Sequence, residues 1–238
     1  ITPRKLYNVI MSTVQCSLKS STLWYRPTRI SIETGNICNL RCPLCPTGRQ
    51  DTSVRRGFMP FESYRAVIDE LYRDLLLVRL YYWGEPLLNK ELVTMAGYAS
   101  ARRIAVTIST NLNILDRQTA GRLLDAGPAK LFVSCDGASG ATYSAYHVGG
   151  DYRRVMSNIR LLLEEKKKRP GCRTRIIWLF HVFRQNEHEV DSAVDIARRL
   201  GIEIRVNRMR TDMGQEIFET AEKSIERDRE WIPEDPRY

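Results

Sequence analysis

The sequence predicts an α/β fold built on a parallel sheet. Six apolar, strand-like stretches alternate with five stretches whose apolar residues recur at helical spacing. Strong stop signals, Gly127-Pro128 and Pro170-Gly171, separate helices from the strands that follow them. Strands that alternate with helices of this length form right-handed βαβ units, and such units place the strands parallel. A doubly wound sheet and a barrel share this pattern, so the pattern alone leaves both open.

The predicted elements follow one another in regular order. The strands are predicted at residues 29–33, 77–82, 105–110, 130–135, 173–183 and 203–207. The helices between them are predicted at residues 61–72, 89–102, 116–126, 152–168 and 187–200, with a further helix at 208–225. Each strand combines β-branched or aromatic residues with short polar boundaries, whereas each helix carries its apolar residues on one face.

The first predicted element is an amphipathic helix at residues 4–19. It places six residues at helical spacing, namely Leu6, Val9, Ile10, Thr13, Val14 and Leu18. We expect this apolar face to pack across the bottom or side of the main domain. The alternative is that the face contacts a membrane surface or a partner.

Composition limits the class of protein. A chain of 238 residues can form one large domain or two small ones. No stretch approaches the apolar length of a membrane span, and no signal-peptide pattern is present, so a cytoplasmic protein is predicted. Net charge is +9, which is compatible with nucleic acid, an anionic substrate or an acidic electron donor. The basic residues are spread out, and the one charged run, Glu164–Arg169, is expected to be a solvated helix end.

Three of the six cysteines lie in one loop after the first predicted strand. Cys38, Cys42 and Cys45 give the spacing C-x3-C-x2-C, and no fourth cysteine or histidine lies within the next eighty residues. Thiolates bind iron or zinc, and three thiolates leave one position of a four-ligand site without a protein ligand. A 4Fe–4S cube held on three irons fits this count better than a zinc knuckle. Clustered reduced thiols also fit a reducing compartment better than disulfides do.

This motif resembles the radical S-adenosylmethionine (SAM) superfamily. The resemblance implies an open, partial (β/α)6 TIM-like barrel with Cys38, Cys42 and Cys45 as ligands of a 4Fe–4S cluster. It further implies that the open iron chelates SAM and that reductive cleavage gives a 5′-deoxyadenosyl radical, which abstracts a hydrogen atom from substrate. Reduced flavodoxin or ferredoxin is the electron donor that such chemistry implies.

Further motifs at the ends of predicted strands are similar to those of the superfamily. Trp83-Gly84-Glu85-Pro86 is similar to G-G-E-P, Ser109-Thr110-Asn111 to T-N-G with Leu112 as the departure, and Ser134-Cys135-Asp136-Gly137 to S-x-D-G. Ligand sites of barrels lie at these carboxyl ends. The SAM-binding residues that the resemblance implies are Trp83, Gly84, Glu85, Pro86, Ser109, Asn111, Ser134, Asp136, Val182 and Asn186.

Three other residues near these motifs need separate interpretation. Tyr146-His147-Val148-Gly149-Gly150 resembles Y-R-x-G-G, with His147 in place of the arginine. Cys135 is a candidate hydrogen-atom donor, because some radical SAM epimerases use a thiol in that role. Strand alternation, however, directs it away from Ser134 and favours a buried apolar residue. His181 is a candidate catalytic residue, although a histidine within a strand is more often a hydrogen-bonded core residue.

The closest resemblance is to the subgroup that carries a cysteine-rich SPASM or twitch domain at its carboxyl end. The expected division is an extension at 1–28, a barrel at 29–208, and a helix and linker at 209–238 towards a missing domain of that kind. A small polar metabolite or carbohydrate is favoured as substrate, through oxidation or epimerisation, because few residues precede the first strand. The alternatives are peptide maturation, RNA modification and an iron–sulfur redox sensor. Nucleic acid is not favoured, because no basic patch is interleaved with aromatic residues.

Overall fold

Six parallel strands form the sheet of this protein. A computed structural model describes residues 1–19, 21–50, 55–209 and 229–238. Its strands are β1 (Arg29–Ser31), β2 (Leu77–Arg79), β3 (Ala105–Thr110), β4 (Lys130–Ser134), β5 (Arg175–Val182) and β6 (Glu203–Arg208). Each strand pairs in parallel with the next one along the chain, in the order β1-β2-β3-β4-β5-β6. A doubly wound sheet would reverse its order part-way. The sequential order therefore confirms the partial (β/α)6 barrel.

One helix precedes the sheet, and the others lie between successive strands. They are α1 (Pro3–Ser17), α2 (Pro46–Arg49), α3 (Phe61–Leu71), α4 (Leu92–Ala101), α5 (Arg117–Asp125), α6 (Gly140–Tyr146), α7 (Tyr152–Lys167) and α8 (Val190–Leu200). The five predicted connecting helices are confirmed, with ends that differ by up to three residues. The helix predicted at 208–225 lies outside the described residues from position 210 onwards. Within the described ranges, no helix has both the length and the apolar content needed to cross a bilayer.

Side-chain caps explain where the connecting helices begin and end. The carboxylate of Asp116 accepts a hydrogen bond from the backbone N–H of Thr119 (2.7 Å) at the start of α5. Asp151 caps α7 in the same way through the N–H of Arg153 (2.8 Å). Helix α8 ends at Gly201, whose φ of 68° lies in the left-handed region that glycine adopts without strain.

Strand β5 shows how the barrel separates its core from its cavity. Trp178, Phe180 and Val182 are fully buried in the core between sheet and helices. Leu179 and His181, the residues between them, line the inner cavity instead. Successive side chains of a strand point to opposite faces, which produces this division. Complete burial of a side chain such as Phe180 stabilises the fold by about 1.5–3 kcal/mol.

Helix α1 packs against the barrel through its polar face. Lys5 donates to the carbonyl oxygen of Arg103 (2.9 Å), and Asn8 donates to that of Arg26 (2.9 Å). Arg4 pairs with the buried Asp74 at 2.8 Å. The predicted apolar residues Leu6, Ile10, Val14 and Leu18 are exposed. The helix itself was predicted correctly, but the prediction that its apolar face packs against the barrel was wrong. The polar face packs there because it supplies donors to the carbonyl groups just beyond α4.

The charged run at the end of α7 also differs from its prediction. Glu165 is buried, and its carboxylate meets Lys168 (2.7 Å), Arg169 (2.8 Å) and Arg117 (2.6 Å). Hydrogen bonds from these three cations lower the pKa of Glu165 to about 2, and the bond from Lys168 has the largest effect. The run is therefore an ion-pair centre that joins α5 to α7 rather than a solvated helix end.

Candidate active site

The carboxyl ends of the first five strands surround one cavity of about 440 Å³. The thiols of Cys38, Cys42 and Cys45 line this cavity, and none of them forms a disulfide. Strand-end residues that the sequence singled out line it too, namely Trp83, Gly84, Glu85, Ser109, Asn111, Ser134, Asp136 and His181. The structure therefore brings most of the predicted site residues together.

Backbone contacts fold the cysteine loop back on itself. The N–H of Cys45 donates to the carbonyl oxygen of Cys42 (3.1 Å), and the N–H of Leu40 approaches the sulfur of Cys38 at 3.4 Å. Helix α2 begins directly after Cys45, and Gly48 within it lies against Cys42 so closely that a Cβ atom there would be 2.6 Å from the Cys42 nitrogen. This packing holds the three thiols on one wall of the cavity.

The three thiols are in an environment that disfavours free thiolates. Burial raises the pKa of Cys38 to about 11 and also raises the pKa values of Cys42 and Cys45. For Cys42 the charges of the other two thiolates raise it further. Because iron binds thiolate and its positive charge removes this mutual repulsion, the donor set fits a metal cluster held by three sulfurs.

Gly84 joins the second strand-end turn to the cysteine loop. The carboxylate of Glu33 accepts from the N–H groups of Trp83 (2.9 Å) and Gly84 (3.2 Å). A Cβ atom on Gly84 would overlap the carbonyl oxygen of Gly35 and lie 2.7 Å from its carbonyl carbon. Glycine is required here because two backbones meet, whatever ligand the turn contacts.

Glu85 fastens the same turn to the end of β3. Its carboxylate accepts from the hydroxyl of Thr110 (2.6 Å) and from the N–H groups of Asn111 (2.8 Å) and Leu87 (2.9 Å). Burial raises the pKa of Glu85, while these three donors act in the opposite direction. Glu85 thus has a defined structural task within the cavity wall.

Asn111 and Leu112 continue the site beyond β3. The side-chain amide of Asn111 donates to Asn39 (2.9 Å) and lies 3.7 Å from the sulfur of Cys38. Leu112 occupies the position where the family motif has glycine, and its φ of 54° is left-handed. The backbone therefore keeps the conformation that glycine favours, and the Leu112 side chain is fully buried.

The ends of β4 and β5 meet at Asp136. One carboxylate oxygen accepts from the N–H of His181 (2.7 Å) and lies 3.2 Å from its Nδ1, while the other lies 3.1 Å from Nε2 of His147. Burial opposes ionisation of Asp136, but the charges and hydrogen bonds of His181 and His147 outweigh it and hold its pKa well below the usual range. Burial likewise opposes the charged form of His181, yet Asp136 raises the pKa of that imidazole.

Four of the predicted site residues lie outside the residues that line this cavity. Cys135 and Val182 are fully buried in the core, and Pro86 is buried at the start of a short 3-10 helix. Asn186 is buried and donates to the carbonyl oxygens of His181 (2.8 Å) and Asp136 (3.2 Å). Their assigned roles in cofactor binding or catalysis stay predictions.

Sequence reasoning did not identify two charged residues of the cavity region. Glu33 follows β1 and holds the Trp83–Gly84 turn, and Arg79 ends β2 on the cavity wall. Charged residues at the ends of short parallel strands were the available signal, because such ends converge. Within the described part of the chain, no hydrogen bond or ion pair engages the Arg79 guanidinium.

Comparison with known proteins decides the family. The model of the radical SAM superfamily matches residues 32–195, which is more than half of the chain. The chain belongs to the radical SAM superfamily. Members of this superfamily are enzymes that use a 4Fe–4S cluster and SAM, and the three cavity thiols fit the cluster.

Individual relatives of this radical SAM chain have different activities. It is 28% identical over 159 residues to the Fe-coproporphyrin III synthase of Methanosarcina barkeri, covering 67% of this chain and 38% of the relative. It is 24% identical over 207 residues to mycofactocin maturase MftC of Mycobacterium tuberculosis, covering 84% and 50%. The chain thus spans half or less of the length of these relatives. Maturases of the SPASM type are among them, as the resemblance implied.

The solved structures agree with the fold. Streptococcus suis SuiB bound to its precursor peptide SuiA aligns with a TM-score of 0.69 at 16% identity, covering 90% of this chain and 46% of SuiB. SuiB bound to S-adenosylmethionine aligns with a TM-score of 0.64 at 13% identity, covering 85% of this chain and 51% of SuiB. At these identities the likeness concerns the barrel fold alone.

Proposed function

We propose that this protein binds a 4Fe–4S cluster through Cys38, Cys42 and Cys45 and acts on a substrate C–H bond. The observation that carries this proposal is that the three thiols share one cavity with the strand-end polar groups. When bound and reduced, the cluster and SAM supply a 5′-deoxyadenosyl radical that removes a hydrogen atom from substrate. A reduced flavodoxin or ferredoxin is the proposed electron donor, since the chain carries a net charge of +9 and such donors are acidic.

The protein's own part in this chemistry is to orient the bound molecules and to exclude water and oxidants. Ser109 and Ser134 lie 3.2 Å apart on neighbouring strands and present two hydroxyls to the cavity, which suits the ribose of SAM. Leu44 and Phe183 belong to a small apolar cluster beside the main core, and they add apolar surface to the same cavity. Such a lining keeps water and oxidants away from a reactive species.

For the substrate we propose a polar molecule with an anionic group. Arg79 lines the cavity with an unengaged guanidinium among the described residues, whereas Glu85 and Asp136 already have partners. A guanidinium binds carboxylate or phosphate through two parallel hydrogen bonds. A small polar metabolite or sugar acid, oxidised or epimerised, remains the proposed substrate class.

Peptide maturation is the second candidate. It is favoured by the alignment with the mycofactocin maturase, which covers 84% of this chain. An acidic side chain or a peptide carboxyl terminus would also match Arg79. A panel of anionic sugars and acidic peptides, scored by substrate-dependent formation of 5′-deoxyadenosine, distinguishes the two candidates.

Anaerobic reconstitution tests the proposal. The wild-type protein is expected to bind iron and sulfide in equal amounts, to give an EPR signal after dithionite that changes on addition of SAM, and to form 5′-deoxyadenosine. Cys42→Ser should lose the cluster, whereas the matched control Cys16→Ser, at an exposed thiol, should keep it. Zinc in place of iron, or an EPR signal indifferent to SAM, would refute the proposal. A cluster without 5′-deoxyadenosine would instead support the redox-sensor alternative.

A further inference from the structure

We propose that His147 donates a hydrogen bond to the sulfur of Cys42 and thereby raises the reduction potential of the bound cluster. Nδ1 of His147 lies 3.5 Å from Sγ of Cys42, a distance within the range of an N–H···S contact. A cysteine bound to iron carries no proton, so only the imidazole can donate across this contact. The inference rests on the proposed function, because it takes Cys42 to be a cluster ligand.

Packing fixes the plane of this imidazole. His147 is 4% exposed, and its ring stacks on Tyr143 at 4.6 Å with an interplanar angle of 24°. The ring of Tyr146 meets it edge-on at 5.2 Å. The backbone is held as well, since the N–H of Arg41 donates to the carbonyl oxygen of Val148 at 2.9 Å. The segment that carries His147 is thereby tied to the cysteine loop, so the approach of Nδ1 to Cys42 is built into the fold.

Asp136 holds the far side of the ring. Nε2 of His147 lies 3.1 Å from the Asp136 carboxylate and 3.2 Å from the Asp136 backbone nitrogen. The other oxygen of this carboxylate is engaged by His181, and the Asp136 carbonyl accepts from Asn186. Asp136 therefore cannot turn away without breaking several hydrogen bonds. The backbone N–H of Asp136 donates to Nε2 of His147. A neutral imidazole that accepts at Nε2 carries its proton on Nδ1, the nitrogen that faces the sulfur. Asp136 is therefore a positioning residue for this donor.

The expected effect follows from charge. One-electron reduction of a cluster adds negative charge that is shared with the ligand sulfurs. A hydrogen bond to one of those sulfurs stabilises the reduced state more than the oxidised state and raises the potential. The family motif has arginine where this chain has His147, so an imidazole donor at this position is a feature of this chain's own sequence.

A pair of isosteric variants isolates the hydrogen bond. His147→Asn can place an amide N–H where Nδ1 stands, whereas His147→Leu has the same branching and no donor. Both variants lose the contact with Asp136 equally. Midpoint potentials are measured at fixed pH by dithionite titration of the reconstituted proteins, followed by EPR. We expect a more negative potential for His147→Leu and recovery towards the wild-type value for His147→Asn. Equal potentials for the wild type and both variants, at equal iron content, would overturn the proposal.

A measurement on the wild-type protein covers the case in which a variant does not fold. Pulsed EPR of the reduced cluster without SAM should show a nitrogen coupling that changes when the protein is labelled with ring-15N histidine. Neither His181 nor His188 contacts a ligand cysteine within the described residues, so the coupling would report His147. Absence of such a nitrogen coupling would also overturn the proposal. Failure of the wild type to load a SAM-responsive cluster would instead count against the proposed function itself.

Discussion

Gly84→Ala is expected to damage the site by separating two backbones. The new Cβ atom would overlap the carbonyl oxygen of Gly35 and lie 2.7 Å from its carbon and 3.1 Å from Cα of Asn36. Ordinary carbon contacts are about 3.5–4.0 Å, so the two segments must move apart by roughly 1 Å. No flexible side chain can absorb this movement, because all three atoms belong to the backbone. Overpacking of this kind costs about 1–3 kcal/mol.

The movement also strains the hydrogen bonds beside Gly84. The N–H of Glu85 donates to the carbonyl oxygen of Ile37 at 2.9 Å, which links the turn to the residue before Cys38. A loss of about 1–3 kcal/mol lowers the midpoint temperature of a chain of this size by about 2–12 °C. Because Ile37 precedes the first thiol, we also expect a lower iron content after reconstitution.

Gly97→Ala is the matched control. Gly97 lies inside α4, where a new Cβ atom would be 3.8 Å from Cβ of Ala126, an ordinary contact. Alanine in a helix interior should stabilise the protein by about 0.4–1 kcal/mol. Thermal unfolding and iron analysis of both variants are the assay. A Gly84→Ala protein with wild-type stability and full iron content would show that the two backbones are not in the contact described here.

Three further variants test other parts of the structure. Glu85→Gln should lower the unfolding free energy by about 1–3 kcal/mol, because its amide group cannot accept from all three donors around it; an unchanged urea midpoint would contradict this. Glu165→Gln should flatten the pH dependence of stability below pH 4.5. The pKa of the Glu165 carboxyl is about 2 in the folded protein, against an ordinary 4.5. Its contribution to the unfolding free energy is therefore complete above pH 4.5 and is lost as pH falls through the folded pKa. Urea midpoints of the wild type and the variant that shift in parallel with pH would contradict this. Leu112→Gly relieves a left-handed residue by about 1–2 kcal/mol but removes a fully buried side chain worth about 3–5 kcal/mol, so chemical denaturation should show a net loss.

Local patterns predicted the elements of the fold, whereas long-range contacts determined their arrangement. Apolar periodicity placed six strands and five connecting helices, yet it could not separate a barrel from a doubly wound sheet, since strand order is a property of distant pairings. Helix α1 shows the same limit. Its periodicity identified two faces, but the need of the Arg103 carbonyl for a donor selected the polar one.

The candidate site shows the same contrast between local patterns and long-range contacts. The three cysteines lie within one short loop, so their spacing carried the prediction. The contact between Cys42 and His147 joins residues 105 positions apart and left no local signal. Strand alternation would have corrected one expectation from the resemblance. Val182 shares its face of β5 with Trp178 and Phe180, so it lies in the core rather than at the cavity.

The strand-end polar groups bond to one another across the cavity rim. Glu85 joins the turn after β2 to β3, Ser109 joins Ser134, and Asp136 joins β4 to His181 of β5. A ligand therefore meets groups that are already oriented, which reduces the ordering cost of binding. The same arrangement means that a motif residue can be essential without touching a ligand. If Glu85→Gln weakens SAM binding through release of β3, stability and affinity will fall together; if Glu85 contacts SAM directly, affinity will fall further than stability does. Measured side by side, the two quantities assign its role.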